Sequence, residues 1–334
     1  MPEFDDSRLD DAAVLARHDA SLRSLALTGA HLRVEAVAAA EARCDADLHP
    51  RGIVLAGHES RLIRTVIEPT CPVPLVAWPH PGLPGWVGPL DLVVVQATSV
   101  PADGLATTVA EACRRGCAVI LAAPAGTELA ARSPSRDLTL VPTSTDDPVA
   151  AVVALLVLLA GLGLAPQLHA ESVADAADMV AEDCSPHKDL SVNPAKVAAI
   201  ALAESLPLVW GGSMLAARAA RRIAEDLRRV AGRASLATPA DDLMPLLTGA
   251  APRDPFADPD EILRPVLVTL DDGDDDFTAG RSRTLLDIIA DDHHLPVVRL
   301  RCDDPQAGAV GRYVSLLLQG LYVSAYLGVG LDRP

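Results

Sequence analysis

Between residues 52 and 141, short apolar runs alternate with amphipathic stretches. Gly52–Ala56, Pro74–Trp78, Leu92–Gln96, Cys117–Ala123 and Leu138–Val141 are near-continuous runs of Val, Ile, Leu and Ala. They lack the two-residue alternation of a half-wetted strand, so they predict strands covered on both faces, as in a parallel sheet flanked by helices. Helical periodicity appears after Ser60 and again over Ala102–Arg115. A second cycle follows: helix at Asp175–Cys184, helix from Asn193, strand Leu206–Trp210, helix Met214–Arg229. It continues as strand Pro265–Leu270, helix Arg281–Asp291, strand Pro296–Leu300 and a long helix Ala307–Gly328. Asn193-Pro194 is a strong helix start, with Asn as cap and Pro at the first helical position. Residues 7–42 read as one or two helices, and about 232–264 as a Pro/Asp-rich connector. Alternating strands and helices predict an α/β fold, and the shared scheme of the halves predicts two related domains.

One segment, Val149–Ala165, is apolar all round. It falls short of the ~20 residues a membrane span needs. It predicts a helix buried on all sides, in a core or a subunit interface. The N-terminus is acidic and shows no signal-peptide pattern.

Half of the 334 residues are hydrophobic, which excludes a disordered chain. The formal charge of −17 argues against nucleic acid as a partner, because phosphate neutralisation needs clustered Lys and Arg. Cysteines 44, 71, 113, 117, 184 and 302 form no Cys-x-x-Cys pair. They predict reduced thiols and a cytoplasmic location, with no membrane partner.

Candidate chemistry sits where strands end. Gly211-Gly212-Ser213 joins a strand to a helix N-terminus, where free N–H groups and the helix dipole can hold an anion. An ordinary strand-to-helix turn would look the same. Gly57-His58-Glu59-Ser60 is the matching spot in the first half, where Glu59 would repel a phosphate. Thr98 and Ser99 offer hydroxyls after the third strand, although Pro101 removes a donor. Glu225 lies within a helix among Arg221, Arg222, Arg228 and Arg229. Asp271-Asp272-Gly273-Asp274-Asp275-Asp276 resembles a calcium loop but has Ser282 where the twelfth-position Glu would stand, so it reads as a flexible acidic loop. His293-His294 end a helix beside Asp291-Asp292. No metal and no cofactor is expected.

The chain resembles the double sugar isomerase (SIS) domain proteins, of the bifunctional phosphoglucose/phosphomannose isomerase branch. The resemblance is carried by Asn193-Pro194-Ala195-Lys196, by Leu206-Pro207-Leu208-Val209-Trp210-Gly211 and by the tail from Ser315 to Leu327. It implies two SIS-type three-layer αβα sandwiches with parallel sheets. The expected bounds are N-terminal helices at 1–45 and SIS-like domains at 46–165 and 166–334. It also implies a homodimer and a sugar phosphate or related small molecule as ligand. The implied reaction is aldose–ketose isomerisation through an enediolate, with Glu225 as base and Ser60, Ser99, Gly211, Gly212 and Ser213 as substrate contacts.

The sequence departs from that branch at its chemistry. The first glycine loop keeps only Ser60 in register. The phosphate loop aligns with Ala97-Thr98-Ser99-Val100-Pro101-Ala102, losing three donors. Asp226 replaces the Asn after the Glu. The ring-opening His falls near Asp241 or Asp242, with no His between 188 and 292, and the chain ends before the branch's C-terminal Lys. The alternative is therefore a non-catalytic relative that senses a carbohydrate derivative or engages a protein partner.

Overall fold

A computed structural model describes residues 3–42, 44, 48–97, 103–131, 137–250, 263–273, 276–302, 304 and 306–333. Ser99, the loop around it, Asp274, Asp275 and most of the second half of the expected connector lie outside the described residues. The chain forms two compact units, residues 28–174 and residues 1–27 with 175–334. The division thus falls at Ala174/Asp175, within a helix, and the first 27 residues join the C-terminal unit.

The N-terminal region is more broken than one or two helices. After a 3₁₀ turn at Asp6–Leu9 come α1 (Ala12–Arg17), α2 (Asp19–Ala26) and α3 (Thr28–Glu41). Asp11 caps α1 through the N–H groups of Ala13 and Val14.

From α3 onward the first unit is built on β1 (Ile53–Gly57), α4 (Ser60–Ile67), β2 (Leu75–Ala77), β3 (Leu92–Gln96) and α5 (Asp103–Arg114). It continues with β4 (Ala118–Pro124), α6 (Glu128–Ala131), β5 (Leu138–Thr143) and α7 (Pro148–Gly161). The sheet is wholly parallel in the order β2-β1-β3-β4-β5. Val54, Val93, Val95, Val119 and Leu121 bury one face with Val109 and Ala112 of α5. Their strand neighbours Ile53, Leu55, Val94 and Ile120 are buried too and point to the other face, where strand residues alternate. Burial on both faces explains the unbroken apolar runs. α7 packs on β3, β4 and β5 and against α3, which makes it a core helix of this unit. Asp147 caps it through the N–H groups of Val149 and Ala150, and Pro148 begins it. Glu35 of α3 is fully buried, and its Oε1 accepts from the backbone N–H groups of Ser144 and Thr145, each at 2.7 Å.

The second unit runs through α8 (Ala170–Asp183), α9 (Pro194–Leu202), β6 (Ser205–Gly211), α10 (Met214–Val230) and β7 (Leu236–Ala237). Then come α11 (Ala240–Thr248), β8 (Arg264–Asp271), α12 (Phe277–Asp292), β9 (Val297–Arg301) and α13 (Gly308–Gly330). β7 and α11 occupy what the sequence reads as a connector. The four strands are parallel in the order β7-β6-β8-β9. Leu208, Trp210 and Leu267 bury one face against Leu243 and Leu247 of α11 and Leu286 and Ala290 of α12. α9 and α10 pack on β6, and α13 packs on α10 and α9. α13 is long and apolar enough to cross a membrane, but 89% of its apolar window is buried inside the protein.

Candidate functional site

In an open parallel sheet a ligand crevice lies beyond the carboxyl ends of the strands, where the chain order reverses. In the first unit that point falls between β1 and β3, and in the second between β6 and β8. Each sequence-predicted glycine loop sits at one of these two points.

At the second switch point, a cleft of about 340 Å³ is lined by Trp210, Gly211, Gly212, Ser213, Met214 and Arg221, with Thr238, Asp241, Asp276 and Thr278 among the facing residues. β6 delivers Gly211-Gly212-Ser213. Ser213 caps α10, its Oγ accepting from the Ala216 N–H at 3.0 Å. The same hydroxyl donates to the carboxylate of Asp272, which follows β8 and is buried. The proton of Ser213 is therefore committed to a carboxylate.

The glycines have structural reasons. A Cβ on Gly211 would sit 2.3 Å from the Ala216 carbonyl carbon, and one on Gly212 2.8 Å from the Ala279 Cβ and 3.1 Å from the Trp210 ring. Both keep the loop tight against α10 and α12. Asp276 caps α12 through the Ala279 N–H at 2.6 Å. Asp271 accepts from Arg283 at 2.9 Å, and that guanidinium stands 6.0 Å from the Trp210 ring centre. The described acids of the Asp271–Asp276 run are thus fastened to the fold. Sequence reading missed their part in the cleft because an acidic run beside a glycine looks like a solvated turn. Among the described residues no group of three His, Cys, Asp or Glu side chains is placed to hold a metal.

Glu225 is eleven residues beyond Met214, about 17 Å along the axis of α10. Its side chain is 48% exposed and pairs with Arg222 at 3.1 Å. The structure does not bring it to the Gly211–Ser213 loop. Its neighbour Asp226 is buried, and burial raises its pKa despite the opposing Arg229, Arg222 and Ser324.

In the first unit, Gly57 has φ +116°, and a Cβ there would lie 2.2 Å from the Gln96 carbonyl oxygen. Ser60 is buried in the first turn of α4. Glu59 is fully buried beside it, with His58 Nδ1 3.2 Å from its carboxylate, and its N–H donates to Gln96 Oε1 at 3.3 Å. The Gln96 Nε2 is buried without a hydrogen-bond partner among the described residues. Both switch points therefore hold a buried carboxylate, Glu59 in one unit and Asp272 in the other.

Two parallel sheets with helices around them define an α/β fold of the SIS type. Its solved neighbours include the tagatose-6-phosphate ketose/aldose isomerase of Escherichia coli (TM-score 0.64, 14% identity, 98% of this chain and 94% of that one). A glucose-6-phosphate isomerase-like protein from Thermus thermophilus aligns at TM-score 0.56 and 17% identity, over 96% of this chain and 92% of that one. The C-terminal domain of a Francisella tularensis glucosamine-fructose-6-phosphate aminotransferase aligns at 0.61 and 11%, over 92% and 96%. Within that fold, residues 191–332 match the family model of the bacterial phospho-glucose isomerase C-terminal SIS domain. No curated protein sequence matches the chain.

Proposed function

We propose that this chain binds a sugar phosphate or a related carbohydrate derivative without isomerising it. The family match over residues 191–332 and the SIS-type fold support the ligand class. The observation against turnover is the state of the second glycine loop. Its serine proton is spent on Asp272, and the carboxylate aligned with the branch's base stands three turns away, paired with Arg222. Isomerisation needs a base within hydrogen-bond reach of the C1–C2 protons and donors aimed at the developing enediolate. Losing one such donor costs about 3 kcal/mol of transition-state stabilisation. A homodimer and a cytoplasmic location belong to the same reading.

Thermal unfolding with glucose 6-phosphate, mannose 6-phosphate, fructose 6-phosphate and 5-phosphoarabinonate tests it, alongside a coupled isomerase assay. A bound ligand at a hundred times its Kd adds about 2.7 kcal/mol of stability. Saturable stabilisation without turnover is the expected result. Turnover that Glu225→Gln abolishes would overturn the non-catalytic reading. No stabilisation by any of these compounds or by the unphosphorylated sugars would overturn the ligand class.

A further inference from the structure

The cleft at the β6/β8 switch point has the shape of a ligand site and the wrong charge for a phosphate. Asp241 and Asp276 line it, and Asp272 stands behind Ser213, against Arg221, the single lining arginine among the described residues. Two of the three helix starts at the cleft carry side-chain caps, and the third, α11, has no cap but bears Asp241 and Asp242 in its first turn. The first turn of α10 is capped by Ser213 and that of α12 by the Asp276 carboxylate. A dianion entering here would meet the Asp241 and Asp276 carboxylates on the lining, with a third, Asp272, buried behind it, and no uncommitted hydroxyl on the glycine loop. A hydroxyl or an ammonium group would meet acceptors instead. The floor suits a sugar as well: Trp210 is 96% buried beneath the cleft, while Met214 stands exposed at its edge, 63% accessible.

The first unit repeats the substitution independently. At its own switch point Glu59 is buried where a phosphate would seek N–H donors, and the Nε2 of Gln96 beside it is buried without a partner among the described residues. An amide N–H₂ left so calls for an acceptor such as a ligand hydroxyl or carbonyl oxygen.

We propose that the Gly211–Ser213 cleft receives the hydroxyl- or amine-bearing end of a carbohydrate and excludes its phosphate. This inference rests on the carbohydrate reading above and narrows it to the part of the ligand that the C-terminal unit takes.

Fluorine NMR of protein labelled with 5-fluorotryptophan tests it, because the chain has three tryptophans and Trp210→Phe assigns the one at the cleft. Glucosamine is expected to shift the Trp210 signal saturably, more tightly than glucose and less tightly as salt is added. Inorganic phosphate is expected to leave that signal in place. The double variant Asp241→Asn/Asp276→Asn keeps the α12 cap, since Asn caps as well as Asp, and is expected to weaken glucosamine about tenfold. A saturable Trp210 shift with inorganic phosphate would overturn the inference, as would glucosamine binding unchanged in the double variant. Absence of any glucosamine effect at Trp210 would overturn it too. The carbohydrate reading falls only if the phosphosugars of the thermal assay and the unphosphorylated sugars also fail to bind anywhere on the chain.

Discussion

Ser213 shows how one side chain decides between two chemistries. A cap serine with a free proton could donate to a ligand oxygen, but here the hydroxyl accepts from Ala216 and donates to Asp272. Ser213→Ala removes the cap, at about 1 kcal/mol, and leaves a buried carboxylate short of a donor, at about 1 kcal/mol more. The expected loss of about 2 kcal/mol is read from the urea midpoint at constant m. A loss under about 0.5 kcal/mol would mean that the Ser213–Asp272 bond does not form in solution. His31 supplies a pH signature. Its Nδ1 lies 3.5 Å from the Asp147 carboxylate, which together with Glu35 and Asp146 raises its pKa above the ordinary 6.5, against the opposing effect of burial. Stability from this pair is full below pH 6.5 and is lost as pH rises through the raised value. Unfolding midpoints measured from pH 6 to 8 should fall through that window, and His31→Gln should flatten the curve. An unchanged slope in that variant would assign the dependence to another group.

At the scale of elements, the packing of α10 on α13 turns on Gly320. A Cβ there would meet Ile223 at 2.3 Å from both Cδ1 and Cγ1. Alanine gains about 1 kcal/mol in helix propensity, and overpacking costs about 1–3 kcal/mol. With two carbons of Ile223 inside contact distance, overpacking wins, and Gly320→Ala should lose about 1 kcal/mol net. In a double-mutant cycle with Ile223→Ala, the two losses should be less than additive, since the shortened side chain makes room. Additivity would place the two helices further apart. Elements of this kind were legible in the sequence wherever burial was two-sided. β3 lies where its apolar run lies, and Asn193-Pro194 opens α9 through bonds to Ala195 and Lys196. β7 and α11 were not legible. β7 is two residues long, and α11 carries Pro245 inside it and starts at Pro239 without a side-chain cap. The candidate site was half legible. The glycine loop is local in sequence, but the carboxylate that captures Ser213 arrives from 59 residues away, through a strand pairing no local pattern encodes.

For the molecule as a whole, the same logic applies to the chain's first residues, which the sequence pattern sets apart and the structure joins to the C-terminal unit. The join is specific. Arg8 Nη1 donates to the Gly330 carbonyl at 2.7 Å, and Asp5 N donates to the same oxygen at 3.0 Å. Arg17 meets Asp332 at 3.1 Å. Its anchor is Lys196, whose side chain is fully buried. The Nζ donates to Asp10 Oδ1 at 2.7 Å and to the carbonyls of Lys188 and Pro186 at 2.8 and 3.1 Å, and stands 5.5 Å from the Tyr326 ring centre. Two carbonyls and a ring solvate the ammonium, Asp10 pairs with it directly, and the Asp189 carboxylate adds a longer-range attraction. The other Asp10 oxygen accepts from the Leu190 N–H at 3.1 Å, so one carboxylate ties both the lysine and the loop before α9. Breaking a fully buried pair costs about 3–5 kcal/mol. Asp10 is 41% exposed, so water can enter when it is removed, and a loss of about 2 kcal/mol is expected for Asp10→Ala. Asp10→Asn keeps the hydrogen bonds and drops the charge, so its loss separates neutralisation from bonding. If neutralisation dominates, the two variants unfold at nearly the same urea concentration. Restoration of most of the stability by Asn would instead make the hydrogen bonds the anchor. Wild-type stability in Asp10→Ala would detach the first 27 residues from the C-terminal core.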